Sequence, residues 1–266
     1  MCELLGMSAN VPTDICFSFS GLLERGGRTG PHKDGWGIGF YEDKGFRSFI
    51  DPLPCCDSEL ARLIKNYPIK SHIVISHIRQ ANSGNVSLQN THPFSRELWG
   101  RHWCYAHNGQ LKGFEELALS SSEQANGCMK FQPVGETDSE HAFCWLLSEI
   151  GKIGSEEATS CDFAHKLKPK LDHIRSFGVF NMLLTDSVYL YAYCSTKLSW
   201  ITRRAPFGEA RLKDVELQVD FSSETTPNDV VTVIATEPLT DDEAWTKMEE
   251  GELLVFRMGE LICQVK

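Results

Sequence analysis

The sequence predicts an α+β protein built on antiparallel sheets. Seven runs read as strands: residues 36–41, 73–76, 103–106, 179–184, 188–193, 230–235 and 253–257. Most are rich in β-branched or aromatic residues and are bounded by turn residues. Helical segments are fewer and do not alternate regularly with the strands, which argues against a doubly wound parallel sheet. Asp186-Ser187 between two of the runs suggests a hairpin, so neighbouring strands should be antiparallel.

One helix is expected from Thr13-Asp14 to Gly26-Gly27, where glycine can supply a left-handed cap. A second spans about residues 57–66. A third opens at Thr137-Asp138-Ser139-Glu140, which fits a capping box, and Ala142, Phe143, Leu146, Leu147 and Ile150 follow at helical spacing. Residues 156–175 read as a partly solvated helix that Pro169 should interrupt. Residues 120–127 read as a surface loop.

At 266 residues the chain can hold one large domain or two small ones, and 41% hydrophobic with 23% charged residues is ordinary for a globular protein. No apolar run approaches the roughly 18 residues of a membrane span, and no basic-then-apolar leader opens the chain. A cytoplasmic protein without a membrane partner is expected. A net charge of −10 argues against nucleic acid, because phosphate binding needs a basic patch. The ten cysteines show no C-x-x-C spacing and should stay reduced in the cytosol, so no zinc site is expected. There is no H-E-x-x-H pair, no G-x-x-x-x-G-K-[ST] loop and no dinucleotide spacing in Gly35-Trp36-Gly37-Ile38-Gly39. No metal and no cofactor are expected.

Chemistry concentrates at four places. Removal of Met1 would give Cys2 both a thiol and a free α-amine, whose pKa near 8 suits it to take the thiol proton. A lone cysteine is otherwise a small buried hydrophobe. Asn108-Gly109 could offer a side-chain amide and a backbone N–H to one developing oxyanion. Asn-Gly is also the commonest hairpin turn pair, and the residues alone leave both readings open. Arg79 follows a strand and could clasp a carboxylate through its planar fork, or simply sit in solvent. Asp138 at a helix start could hold an ammonium group, although the macrodipole alone favours an acid there. A self-activated thiol, a donor pair, an Arg and an Asp together suit an amide carrying an amino-acid head, of which free glutamine is the simplest.

With these motifs in order, the chain resembles the class II glutamine amidotransferases, and over essentially its whole length their stand-alone YafJ-type branch. Met1-Cys2 resembles the processed N-terminus. Arg25-Gly26 and Asp34-Gly35-Trp36-Gly37 resemble the early glycine-rich motif. His77-Ile78-Arg79, His107-Asn108-Gly109 and Thr137-Asp138-Ser139-Glu140 resemble the glutamine-binding strand end, the oxyanion turn and the acidic helix start. The resemblance implies a four-layer αββα N-terminal nucleophile hydrolase fold with two stacked antiparallel sheets, in a single glutamine amidotransferase type-2 domain over residues 1–266. It implies that Cys2, Asn108 and Gly109 are catalytic, that Arg79 binds the α-carboxylate of glutamine and Asp138 its α-amine, and that Gln80 and Asn82 line the pocket.

The expected reaction is hydrolysis of the glutamine side-chain amide through a Cys2 γ-glutamyl thioester. The chain shows no motif of an acceptor domain, so the ammonia would go to a separate synthase subunit or be released. A hydrolase of γ-glutamyl peptides or conjugates is the alternative enzyme. A catalytically silent module binding an amino acid or a protein is the alternative outside enzymes.

Overall fold

The computed structural model describes residues 2–65, 67–81, 84–114, 130–154, 161–216, 218–220 and 226–266. Helices are α1 (Cys16–Arg25), α2 (Glu59–Lys65), α3 (Asp138–Ile153) and α4 (Cys161–Arg175). The first strands are β1 (Glu3–Asp14), β2 (Trp36–Glu42), β3 (Gly45–Asp51), β4 (Lys70–Ile78), β5 (Phe94–Leu98) and β6 (Arg101–Leu111). They are followed by β7 (Gly178–Thr185), β8 (Leu190–Tyr193), β9 (Ser199–Arg204), β10 (Glu209–Arg211) and β11 (Gln218–Asp220). The last are β12 (Val230–Ala235), β13 (Thr246–Lys247), β14 (Leu253–Arg257) and β15 (Glu260–Val265). One sheet runs β13-β9-β12-β1-β4-β2-β3 and a second β15-β14-β8-β7-β6-β5, with β10-β11 a small separate ribbon. Pairing is antiparallel in each sheet.

Alternation along the strands sorts side chains into three cores and so fixes the layers. On β1, Leu5 and Met7 join Phe19 and Leu22 of α1 and Ala61 and Ile64 of α2. Leu4, on the other face of β1, enters a middle core with Cys104 and Ala106 of β6 and Leu183 of β7. On β7, Phe180, Met182 and Leu184 face Phe143 and Leu147 of α3 and Leu167 and Leu171 of α4. The order is helices, sheet, sheet, helices: the expected αββα arrangement.

Several local expectations are corrected. The first helix starts at Cys16, not at Thr13-Asp14, because β1 runs through both residues. Asp14 still serves the helix, accepting the Cys16 N–H at 2.7 Å. Pro169 lies inside α4 without ending it. It sits on the exposed side, where the carbonyl it cannot bond can meet water. At α3 the Thr137 hydroxyl accepts the Glu140 N–H, but Glu140 does not complete a capping box. Its carboxylate takes the Gly135 N–H and Arg96 instead. The cysteines are not all reduced: Cys161 and Cys263, 102 residues apart, form a disulfide. Spacing rules could not reveal a pair that only the docking of α4 on β15 brings together. The predicted loop at 120–127 and the first residues of the helix predicted for 156–175 lie outside the described residues. No described helix is long and apolar enough to cross a membrane.

Candidate active site

Cys2 immediately precedes β1, a strand held between β12 and β4 near the centre of its sheet. The β1–β4 register pairs Glu3 with Ile78, which carries Cys2 to the Arg79–Gln80 segment just past the end of β4. The Gln80 N–H donates to Cys2 Sγ at 3.2 Å, and the thiol donates to the Gln80 carbonyl at 3.4 Å. Burial pushes the Cys2 thiol up, while the Gln80 N–H and the nearby Arg79 guanidinium pull it down. The net shift is upward, so the resting sulfur is a thiol that needs a base to become a nucleophile.

Asn108 and Gly109 are not a turn. β6 runs straight through them, in register with Asn181 and Phe180 of β7. Asn108 Nδ2 donates to the Cys2 carbonyl at 2.5 Å, tying the Cys2 backbone to the second sheet. Thr236 supports the junction: its hydroxyl accepts the Leu4 N–H at 2.9 Å and lies 3.4 Å from Asn108 Nδ2. The Leu111 N–H leaves the ladder to reach Asp138 Oδ2 at 2.7 Å. Residues two apart direct their N–H groups to the same edge of a strand, so the Gly109 N–H points toward the Asp138 side, where it lines the cleft. A side chain at 109 is excluded, because a Cβ would lie 1.8 Å from the Val179 carbonyl oxygen.

Arg79 Nη1 and Nη2 donate to the carbonyls of Asn85 and Gly84 at 3.1 and 3.4 Å. The early glycine-rich motif clamps this segment. Asp34 Oδ2 accepts the Ala81 N–H at 2.7 Å, and the Arg79 N–H donates to the Gly35 carbonyl at 2.8 Å. Asp138 opens α3 and is 5% exposed; its Oδ1 accepts the Ser139 N–H at 2.9 Å. Cys2, Arg79, Gln80, Gly109 and Asp138 line one small cleft with His92, His107 and Ser139. Asn108 touches the same cysteine from behind. Gln80 contributes its backbone to the sulfur, and Asn82 lies outside the described residues. A larger hollow of about 360 Å³ lies on the α1 side of the first sheet, around Val11, Phe17 and Phe207, and no predicted site residue lines it.

Sequence reasoning did not single out Asp34 for its grip on Ala81, nor Thr236, His107 or Ser139. The Asp34-Gly35 pairing was a visible signal, whereas nothing in the sequence places residue 236 beside residue 108.

Arg25 explains the remaining early motif. It is 7% exposed, and its Nε donates to Asp214 Oδ2 at 2.7 Å and Nη1 to Glu3 Oε2 at 3.1 Å. Nη1 and Nη2 also reach the carbonyls of Glu237 and Pro238 at 3.2 and 2.8 Å. Glu3 adjoins Cys2, so this fork fixes the start of β1. Arg25→Ala strands two acids in the interior and should cost about 3–5 kcal/mol, lowering the melting temperature by roughly 10 °C. Arg25→Lys should recover only part of that, because a point charge cannot span all four acceptors. A thermal melt of Arg25→Ala within a degree or two of the parent would refute this role.

Three histidines are buried beside the cleft. His107 bonds Ser139 Oγ at 2.8 Å and the Val179 carbonyl at 3.0 Å. His77 and His92 pack with tilted rings, centroids 4.2 Å apart, and the His92 ring nitrogens have no hydrogen-bond partner among the described residues. Burial holds both neutral: His77 is pushed down to about 3, and His92 falls well below the usual imidazole range. Unfolded histidine takes its proton near 6.5, so below that pH the unfolded chain binds protons that the fold refuses. Stability is therefore complete above about pH 6.5 and declines as the pH falls toward 3. His77 alone should remove roughly 2–3 kcal/mol by pH 4.5. Urea midpoints at pH 7 and 4.5 check this, and His77→Phe should narrow the difference; a difference unchanged in that variant would contradict it.

Similarity to known proteins identifies the family. Residues 1–266 match the family model of glutamine amidotransferases class-II. The chain is 60% identical over 263 residues to "Putative glutamine amidotransferase YafJ" of Escherichia coli (strain K12), covering 98% of this chain and 100% of that protein. A 2.0 Å crystal structure of a predicted glutamine amidotransferase from Pseudomonas aeruginosa PA01 is similar at 51% identity and a TM-score of 0.73, covering 98% and 99% of the two chains. The glutamine phosphoribosylpyrophosphate amidotransferase of B. subtilis shares the fold at 14% identity and a TM-score of 0.62, with this chain spanning 49% of it. The chain belongs to the class II glutamine amidotransferases.

Proposed function

We propose that this chain, as one type-2 domain with Met1 removed, hydrolyses the side-chain amide of glutamine through a Cys2 thioester. The reading rests on one observation: Cys2, Arg79, Gly109 and Asp138 line a single cleft. The Cys2 α-amine takes the thiol proton, and the thiolate attacks the amide carbon. Asn108 Nδ2 and the Gly109 N–H receive the charge that develops on the amide oxygen. The ammonium returns the proton as the C–N bond breaks, releasing ammonia and leaving a γ-glutamyl thioester. Water then adds to the thioester, freeing glutamate and the thiol. Arg79 holds the substrate carboxylate and Asp138 its ammonium, with Gln80 at the pocket wall. The ammonia passes to a separate synthase subunit or leaves as product.

The experiment is an assay of ammonia and glutamate release from glutamine and from a panel of γ-glutamyl peptides and amides. Stoichiometric ammonia and glutamate from glutamine support the reading. Turnover of γ-glutamyl peptides in the absence of glutamine turnover would replace it with the conjugate hydrolase, and no turnover of any substrate would leave a binding module.

A further inference from the structure

A second group of reactive side chains lies outside the cleft. Cys161 is the first residue of α4, and His165 stands one turn further on the same helix face. Cys263 meets them from β15, an edge strand of the second sheet. One ligand atom from each residue lies within 4.8 Å of the others. Cys161 and His165 are exposed and Cys263 is buried, so solvent reaches the group from one side. Among the described residues, none of the cleft-lining side chains belongs to it.

We propose that this triad is a zinc site in the reduced protein, and that the Cys161–Cys263 disulfide is its oxidised, metal-free form. Two thiolates and an imidazole are a donor set that suits zinc, and their charge of −2 balances the ion. Tetrahedral zinc places sulfur and nitrogen ligands roughly 3.5 Å apart. The spacing seen here therefore needs only opening of the S–S bond and a small separation of the sulfurs. Cys161 heads a helix, where the dipole favours thiolate. Water completes the fourth position.

The conversion balances. A thiol or phosphine reductant supplies two electrons, and the S–S bond takes up two protons to give two thiols. Zinc binding then releases both protons as two Zn–S bonds form, while neutral His165 donates a lone pair. In reverse, an oxidising disulfide accepts two electrons and two protons to become two thiols, the Cys161–Cys263 bond closes and zinc leaves. Either form fastens α4 to the edge strand, so the outer helix layer stays tethered while the chemistry of the tether follows the redox state. Cysteine spacing in the sequence argues against zinc; the fold supplies what spacing lacks, because the helix contributes an i,i+4 pair and a strand about a hundred residues away contributes the third donor.

The test is zinc content after equilibrium dialysis of the full chain, oxidised and phosphine-reduced, beside Cys161→Ser and His165→Ala. Reduced protein should hold one more zinc per chain than oxidised protein. Cys161→Ser should hold none of that increment, and His165→Ala should bind it at least 10-fold more weakly. Cobalt substitution of the reduced protein should give a thiolate charge-transfer band that Cys161→Ser lacks. His165→Ala leaves the disulfide intact, so its result stands even where Cys161→Ser folds poorly. Equal zinc in the oxidised and reduced parent, or unchanged affinity in His165→Ala, overturns the proposal.

Discussion

Cys2→Ala protein should release no ammonia from glutamine above background, a fall of about 10⁴-fold or more, since loss of a nucleophile removes the whole covalent route. Protein that keeps a residue ahead of Cys2 should be nearly as inactive even though the thiol is present. Its α-nitrogen is then an amide and cannot accept a proton. The geometry makes the second result informative. Burial pushes the Cys2 thiol up against the pull of the Gln80 N–H and Arg79, so the surroundings alone do not deliver a thiolate. The α-amine is the base that the mature chain would add. Intact mass fixes which form is assayed, and a coupled glutamate assay reads the rate. Full activity in protein that mass spectrometry shows to retain Met1 would remove the α-amine from the mechanism and leave the buried sulfur to be activated by another group.

Much of the candidate site was legible because Cys2, Arg79 and Asp138 sit where their motifs meet the end of an element. Arg79 lies one residue past β4, Asp138 opens α3, and Cys2 precedes β1. The strand that follows Cys2 was not legible. Glu3–Asp14 contains Gly6 and Pro12 and few β-branched residues, and both its faces are buried, so neither strand composition nor apolar-polar alternation marks it. Thr13-Asp14 therefore looks like a helix start, when Asp14 is the last residue of the strand and accepts the N–H of the first helical residue, Cys16. Asn108-Gly109 misled in the opposite sense. A pair common in turns lies here inside an eleven-residue strand, because the absent Cβ at 109 is what admits the Val179 carbonyl. Partners such as Thr236 for Asn108 and Asp214 for Arg25 are separated by 128 and 189 residues, and only the stacking of layers brings them together.

Asn108→Ala should lower kcat by about 10²–10³-fold, equivalent to roughly 3–4 kcal/mol, with KM nearly unchanged. The amide has two hydrogens and two tasks. In the resting structure Nδ2 holds the Cys2 carbonyl at 2.5 Å with one hydrogen and makes a longer, 3.4 Å contact to the Thr236 hydroxyl with the other, which it can give up to substrate. That second hydrogen is the donor proposed for the oxyanion, paired with the Gly109 N–H. Orientation is fixed by charge, since a reversed amide would set its oxygen against the Cys2 carbonyl oxygen. Asn108→Asp should therefore be worse than Asn108→Ala. A carboxylate would face that carbonyl and place negative charge beside a forming thiolate, so both stability and kcat should suffer. Thermal melts separate the two tasks: a large kcat loss in Asn108→Ala with a modest change in melting temperature assigns the effect to the transition state. If KM rises while kcat holds, Asn108 serves ground-state binding, and the Gly109 N–H must carry the oxyanion without it.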